Sequence, residues 1–379
     1  METAAAHARG SWLRLETGAH TTMARTTATT TEQRGTDADL VMVKAQPFNA
    51  ETAPTALGHT LTPTAQHFVR SNFDVPQHPG QIVIDGAVDR PTTLTLENIM
   101  SRPSKTLTVT LECAGNGRLG MAPLPEGEPW GGYAVGTSTW TGVPLADVLA
   151  EVGVQDDVIE VSFTGADIGT YKGTPDTQFV RALSREVALD RGRDVLVVYA
   201  MNDEPLTPAH GGPFRLLVPG WYGMASVKWL ARISMRTQPY EGRFQTVSYM
   251  FHWAEGPPTP VSTMRVNSRV VQPKPGSTVH EGHVTVHGKA WSGAGQPIVS
   301  VEVSVDAGPW QTAELATSDS AYAWQDWTFD WHVAGAGRHV LRTRATDAAG
   351  NVQPDQVEWN RLGYGNNAIQ AALFSVTAS

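Results

Sequence analysis

Apolar and polar positions alternate most regularly from Lys105 to Cys113, where Leu107, Val109, Leu111 and Cys113 are spaced by Thr106, Thr108, Thr110 and Glu112. A period of two predicts a strand with one buried face, and Ala114-Gly115-Asn116-Gly117 ends it as a turn. The same reasoning predicts a strand over 82–88 and another that starts at Val158 and runs into a loop at Asp167. The unbroken apolar run between Asp194 and Met201 predicts a strand covered on both faces. Helical spacing predicts a short helix at Leu96, Ile99 and Met100, capped by Thr95 and stopped before Pro103. It predicts a second helix at Leu145, Val148, Leu149 and Val152, with Pro144 at its start and Gly153 at its end.

The texture changes near Gly256-Pro257-Pro258-Thr259-Pro260. Beyond it, short alternating runs follow one another: Val284 and Val286, then Val299, Val301, Val303 and Val305. Trp327, Phe329, Trp331 and Val333 make the next, and Leu341, Thr343 and Ala345 the last, with Gly-rich turns between. That rhythm predicts a β-sandwich, which by itself reads as an immunoglobulin-like adhesion or carbohydrate module. From Met1 to Lys44 neither period is present, and the Thr- and Ala-rich composition predicts a disordered tail, with Met23 a second candidate start. The pattern therefore divides the chain into a tail over 1–44, an α+β domain over 45–256 and an all-β domain over 257–379.

A chain of 379 residues, 41% hydrophobic and 17% charged, is long enough for two domains with full cores. A single cysteine excludes a disulfide framework, a Cys-rich zinc or iron-sulfur site, and a Cys-x-x-Cys-His haem attachment. A net charge of −9 argues against a nucleic-acid partner, so any anion site must come from local arginines. No apolar run approaches the roughly 18 residues of a membrane helix. Without an apolar signal core or an Arg-Arg pair, the expected location is cytoplasmic.

The one cysteine, Cys113, stands at a strand end among permissive glycines, with Arg118 close behind. A thiolate that binds metal or attacks carbon needs that kind of open, positive setting. Gly115, Gly117 and Gly120 spell a dinucleotide fingerprint, but the residues after them hold too many prolines and glycines for the helix it requires. A Cys113 nucleophile with His210 as base, in a hydrolase, stays open on these residues. His280, His283 and His287 look like a metal run, yet they lack helical His-Glu-x-x-His spacing and predict a solvated strand face.

Glu112-Cys113-Ala114-Gly115-Asn116 followed by Arg118 resembles the signature of the sulfite oxidase family of molybdenum enzymes. The resemblance implies that Cys113 is the one protein thiolate on the metal, the remaining sulfur coming from the pterin. Phe68-Val69-Arg70-Ser71-Asn72 is similar to the family's Phe-Val-Arg-Asn-His segment, which implies pterin contacts from Phe68, Arg70 and Asn72 and places Arg70 at the substrate. Asn72 stands where many members carry His. By the same resemblance Trp130 lines the anion pocket and Asp167 meets the cofactor, while His210 and Arg215 hold the pterin and its phosphate. Ser226, Val227 and Lys228 complete the binding wall, and Tyr249 is a pocket tyrosine.

Gly288 to Gly293, Gly350 to Pro354 and Trp359 to Asn367 resemble the family's dimerisation domain, with Arg361 a looser pocket candidate. The resemblance thus implies an α+β molybdopterin-binding domain followed by an immunoglobulin-like dimerisation domain, and a homodimer. It implies oxidation of sulfite to sulfate by oxygen-atom transfer, with one molybdenum per chain. The chain carries no haem or flavin segment, so the implied electron acceptor is a separate partner such as a cytochrome. Gly117 departs from the many members with a second arginine there, which keeps nitrate or an S- or N-oxide open as the substrate.

Overall fold

The computed structural model describes residues 40–293 and 295–378, so most of the predicted tail, Met23 included, lies outside the described residues. The last residues assigned to the tail are instead ordered. Val41–Lys44 is strand β1, paired antiparallel with β2, Asn49–Glu51. Its side chains are mostly exposed, so alternation could not reveal it, and the ladder to a buried β2 is what orders it.

Three strands follow: β3, Gln81–Gly86; β4, Thr92–Thr95; and β5, Lys105–Glu112. They continue as β6, Val135–Pro144; β7, Glu160–Tyr171; β8, Thr174–Ser184; and β9, Leu196–Met201. The first domain closes with β10, Glu204–Pro205; β11, Arg215–Leu217; and β12, Leu230–Arg236. One sheet has the order β4-β3-β12-β7-β8 and a second has β10-β9-β6-β5, with β11 also on β9. Among the described residues of these two sheets, only β3 and β12 pair parallel.

The helices are α1, Leu96–Met100; α2, Leu145–Val152; α3, Arg185–Leu189; and α4, Arg243–Thr246. The domain is mostly sheet, with less helix than the α+β expectation suggested. In α1, Thr95 and Asn98 form a reciprocal capping box, which explains why five residues suffice. In α2, Gly153 takes the left-handed conformation past the end, as predicted. The apolar face of α2 packs with Ile82, Ile84, Val161, Phe163 and Ile233 in one core, each such buried side chain contributing about 1.5–3 kcal/mol.

After a short pair of strands, β13 (Met250–Phe251) and β14 (Thr259–Pro260), the chain enters a two-sheet sandwich. Its strands are β15, Asn267–Gln272; β16, Thr278–His280; β17, Gly282–Trp291; and β18, Ile298–Val305. Then come β19, Gln311–Thr312; β20, Glu314–Leu315; β21, Gln325–Val333; β22, Gly337–Asp347; and β23, Ala371–Thr377. The sheets read β15-β17-β21-β20 and β16-β23-β22-β18-β19. Val286, Val301, Val303, Trp327, Trp331 and Leu341 fill the space between them. Val299 does not join them. A bulge between Ile298 and Ser300 turns Ile298 inward and leaves Val299 56% exposed.

Strand β5 departs from the one-faced prediction. Val109 and Leu111 are buried, but so are Thr110 and Glu112 on the opposite face. That face is covered by the C-terminal domain. Thr110 donates its amide to the Tyr322 carbonyl at 2.9 Å, and its hydroxyl accepts from the Trp324 amide at 2.7 Å. Glu112 accepts from Trp291 Nε1 at 3.0 Å and from Asn116 Nδ2 at 2.9 Å. Buried polar positions on a strand therefore mark where a second domain supplies partners.

Trp291→Phe removes one donor from a buried carboxylate and is expected to destabilise the chain by about 1–3 kcal/mol. The urea midpoint of the metal-free protein measures it, and an unchanged midpoint would mean that the Glu112 contact contributes nothing.

Candidate active site

Where β5 ends, the ladder carries on for one residue: Cys113 donates its amide to the Ala134 carbonyl at 2.9 Å. Asn116 then folds the turn back, its amide donating to the Cys113 carbonyl at 2.9 Å and its Oδ1 accepting from the Ala134 amide at 3.0 Å. A Cβ on Gly115 would lie 2.3 Å from the Arg118 guanidinium, so only glycine lets that side chain lie across the loop. Gly117 is left-handed at φ 74°, and a Cβ there would meet Asn366 at 3.3 Å. An arginine in place of Gly117 would need both a strained backbone and the space Asn366 fills. Among the described residues no helix opens after Gly120, which completes the case against a dinucleotide site.

Two chambers meet at this loop. The inner one is lined by Phe68 and by Asp167, His210, Arg215, Ser226 and Lys228. The outer one is lined by Arg118, Glu128, Trp130, Lys172, Leu362 and Tyr364. Arg70, Ser71, Asn72, Cys113 and Tyr249 line both, so the thiol sits at the waist between them.

Burial dominates the electrostatics of the inner chamber. It holds the Arg215 guanidinium down to about 9 and lowers the Lys228 amine and the His210 imidazole well below their ordinary values. Burial also pushes the Asp167 carboxyl up to about 7, against the opposing pull of Lys228. Arg215 donates to the carbonyls of His210 and Ser226 at 3.0 and 3.1 Å, and Lys228 to Ser71 Oγ and the Ala209 carbonyl at 2.7 and 2.9 Å. Neither forms an ion pair among the described residues. His67 Nε2, Asp167 Oδ1 and Arg215 Nε are buried without a partner. Buried cations with neutral partners and orphaned polar atoms are what an anionic, polar ligand would complete.

At the waist, burial pushes the Cys113 thiol up, and Arg70 is the chief opposing influence. Arg70 is clamped by Asn72 Oδ1 at 2.7 Å and by the Ser71 carbonyl. Asn72 Nδ2 in turn donates to the Tyr249 hydroxyl at 3.3 Å, so it serves the waist through the tyrosine. Tyr249 is left-handed at φ 55°, a strained state for an aromatic residue, and Tyr364 stacks on it with ring centroids 5.6 Å apart. Arg118 is 4% exposed, donating Nε and Nη2 to the Leu362 carbonyl at 3.0 and 2.9 Å and Nη1 to the Glu128 carbonyl. Among the described residues no hydrogen bond joins Cys113 to a histidine, and His210 Nε2 is instead within 2.9 Å of the Thr64 carbonyl, so the Cys-His hydrolase lacks its pair.

Residues 72–244 match the oxidoreductase molybdopterin-binding domain model, and residues 259–373 match the molybdenum-cofactor oxidoreductase dimerisation domain model. The chain belongs to the sulfite oxidase family of molybdopterin oxidoreductases. It is 35% identical over 357 residues to mitochondrial sulfite oxidase of Drosophila melanogaster, a match covering 85% of this chain and 61% of that protein. It is 32% identical to a nitrate reductase of Arabidopsis thaliana, covering 85% of this chain and 39% of that protein. The chain thus spans about three fifths of the length of the sulfite oxidase it matches. The crystal structure of the sulfane dehydrogenase SoxCD from Paracoccus pantotrophus superposes with a TM-score of 0.78 at 28% identity, over 91% of each chain.

The residues present fit the family's cofactor. The inner chamber offers Arg215 and Lys228 to a phosphate and orphaned atoms of His67 and Asp167 to a polar ring, and the one thiol is at its mouth. The structure brings together every residue the family signature singled out except two. Val227 lies in the core beneath the wall, and Arg361 is exposed, only its carbonyl reaching the loop at Glu126. Asp167 is in a bulge of β7, where register slips between Thr164 and Ile168, and not in a loop. Tyr364, His67 and Lys172 were not foreseen. Tyr364 lies in the C-terminal domain, and nothing local in the sequence brings it to Tyr249.

Lys228→Met is expected to change the urea stability of metal-free protein by less than about 1 kcal/mol, because loss of two neutral acceptors offsets removal of an unpaired buried cation. Retention of pterin and molybdenum should fall roughly 10- to 150-fold, as for one charge-assisted contact of about 1.5–3 kcal/mol. Unchanged retention, read by pterin fluorescence and metal content, would remove Lys228 from the binding site.

Proposed function

We propose that the chain oxidises sulfite to sulfate and passes the electrons to a separate acceptor such as a cytochrome. The observation that carries this reading is the position of Cys113, the single cysteine, at the waist shared by a cation-lined inner chamber and an outer chamber open to a small anion. When bound, the molybdenum-pterin group supplies oxygen-atom transfer and takes up two electrons. In the reading, Cys113 ligates the metal, and His210, Arg215, Ser226 and Lys228 hold the pterin phosphate and ring, with Asp167, Phe68 and Asn72 beside them.

Arg70 and Arg118 hold the oxyanion at the waist, with Trp130 closing the pocket wall and Tyr249 donating its hydroxyl. Arg118 has five N–H groups, of which three are committed to the Leu362 and Glu128 carbonyls, so two remain for the substrate. Tyr364 backs Tyr249 and holds its ring at the waist. The same proposal takes residues 45–256 as the cofactor domain and 257–379 as an immunoglobulin-like dimerisation domain, and takes the enzyme as a cytoplasmic homodimer with one molybdenum per chain. Among the described residues no helix is long and apolar enough to cross a membrane.

Nitrate is the second reading, favoured by Gly117 in place of a second arginine. The same assay separates the two. Protein made in a host that supplies the cofactor is expected to reduce an artificial acceptor with sulfite, at a molybdenum content near one per chain. Full metal without sulfite turnover would overturn the substrate and leave the cofactor assignment standing.

Arg118→Ala should lower kcat/KM for sulfite roughly 10- to 150-fold, the loss of one charge-assisted contact of about 1.5–3 kcal/mol. Molybdenum content and urea midpoint on the same sample separate this from loosening of the 362 loop. Unchanged sulfite kinetics would take Arg118 out of the substrate pocket.

A further inference from the structure

The solvated face of the C-terminal sandwich carries a side-chain arrangement that the redox site does not use. On β17, His283, Thr285 and His287 point outward while Val284 and Val286 point toward the core. On β21, His332 and Asp330 point outward while Trp331 and Val333 are buried. The antiparallel register pairs His283 directly with His332, and Thr285 with Asp330. The imidazole centroids of the His pair are 5.0 Å apart with the ring planes at 47°. Thr285 donates its hydroxyl to Asp330 Oδ1 at 3.2 Å, whereas neither imidazole has a hydrogen-bond partner among the described residues.

We propose that His283 and His332 form a two-imidazole site for a divalent transition-metal ion, with Cu²⁺ the tightest and Ni²⁺ and Zn²⁺ weaker. Register alone brings these side chains together, since 49 positions of chain separate them (332 − 283 = 49). Metal–nitrogen bonds of about 2.0–2.1 Å along the line from each ring centre put an ion roughly 3.2 Å from each centroid. Centroids 5.0 Å apart then subtend roughly 100° at the metal, close to the tetrahedral angle. Neutral imidazole suits these borderline ions, and the remaining positions are open to water because both residues are solvent-exposed. The strands themselves are held by the ladder from Gly282 with Val333 to Ala290 with Gln325, so the two ligands are presented by a rigid frame. Among the described residues no group of three or more His, Cys, Asp or Glu is placed to hold a metal, so the site is one of two protein ligands. It is independent of the reaction at Cys113.

The test is a Cu²⁺ titration of untagged, cofactor-loaded protein by calorimetry, with nitrogen coupling read by electron paramagnetic resonance. The expected result is one Cu²⁺ per chain coupled to two imidazole nitrogens. His283→Ala and His332→Ala should each weaken binding by about tenfold or more and leave a single coupled nitrogen, while molybdenum content and urea midpoint stay unchanged. His287→Ala, four residues along the same face and opposite Thr328, should bind as the parent does. Binding that survives both single substitutions, or a parent that binds no better than the His283→Ala, His332→Ala double variant, would overturn the proposal.

Discussion

The site depends on a loop that two domains hold between them. From the last residue of β5 to Arg118, the C-terminal part of the chain grips the Cys113 loop at four residues. Trp291 donates to Glu112, the Gly365 amide donates to the Ala114 carbonyl at 2.8 Å, Asn366 donates to the Gly117 carbonyl at 2.7 Å, and Arg118 donates to the Leu362 carbonyl. At about 0.5–1.5 kcal/mol each, these hydrogen bonds sum to roughly 2–6 kcal/mol, a sizeable part of the 5–15 kcal/mol that keeps a typical domain folded. A C-terminal domain matched as a dimerisation module therefore also builds the wall of the outer chamber, through Leu362 and Tyr364.

Burial then separates the two chambers chemically. In the inner one, Arg215 and Lys228 are desolvated and hydrogen-bonded to neutral acceptors, a state made more favourable by an anion. In the outer one, Arg118 is already tethered by three of its hydrogens, so it is a fixed donor that loses little freedom when a substrate arrives. Cys113 lies between, its thiol pushed up by burial and opposed by Arg70. A metal that binds thiolate would displace the proton and offset that cost.

Much of this was legible from residue pattern. The alternation of β5, the capped helix at Leu96, the Gly153 stop and the outward-facing histidines of β17 are local, and local rules found them. The family signature likewise named Cys113 and the charged side chains Arg70, Asp167, Arg215 and Lys228 of the inner chamber. What escaped was set by tertiary partners. The second buried face of β5 exists because Tyr322, Trp324 and Trp291 arrive from far along the chain. Tyr364 reaches Tyr249 for the same reason. The bulge at Ile298 shifts register by one residue and the one at Asp167 by two, breaks in the ladder that a uniform alternation does not contain. Arg361 was drawn toward the pocket by its neighbours in sequence, yet the backbone turns its side chain out and leaves Leu362 and Tyr364 to face inward.

The central claim is that the thiol of Cys113 joins the metal at the waist of the two chambers. Molybdenum-edge X-ray absorption on cofactor-loaded parent and Cys113→Ala tests it most directly. The expected result is one sulfur neighbour fewer in the variant, with the pterin sulfurs retained because the inner chamber is intact. An identical sulfur shell in both proteins would contradict it and return Cys113 to a packing role.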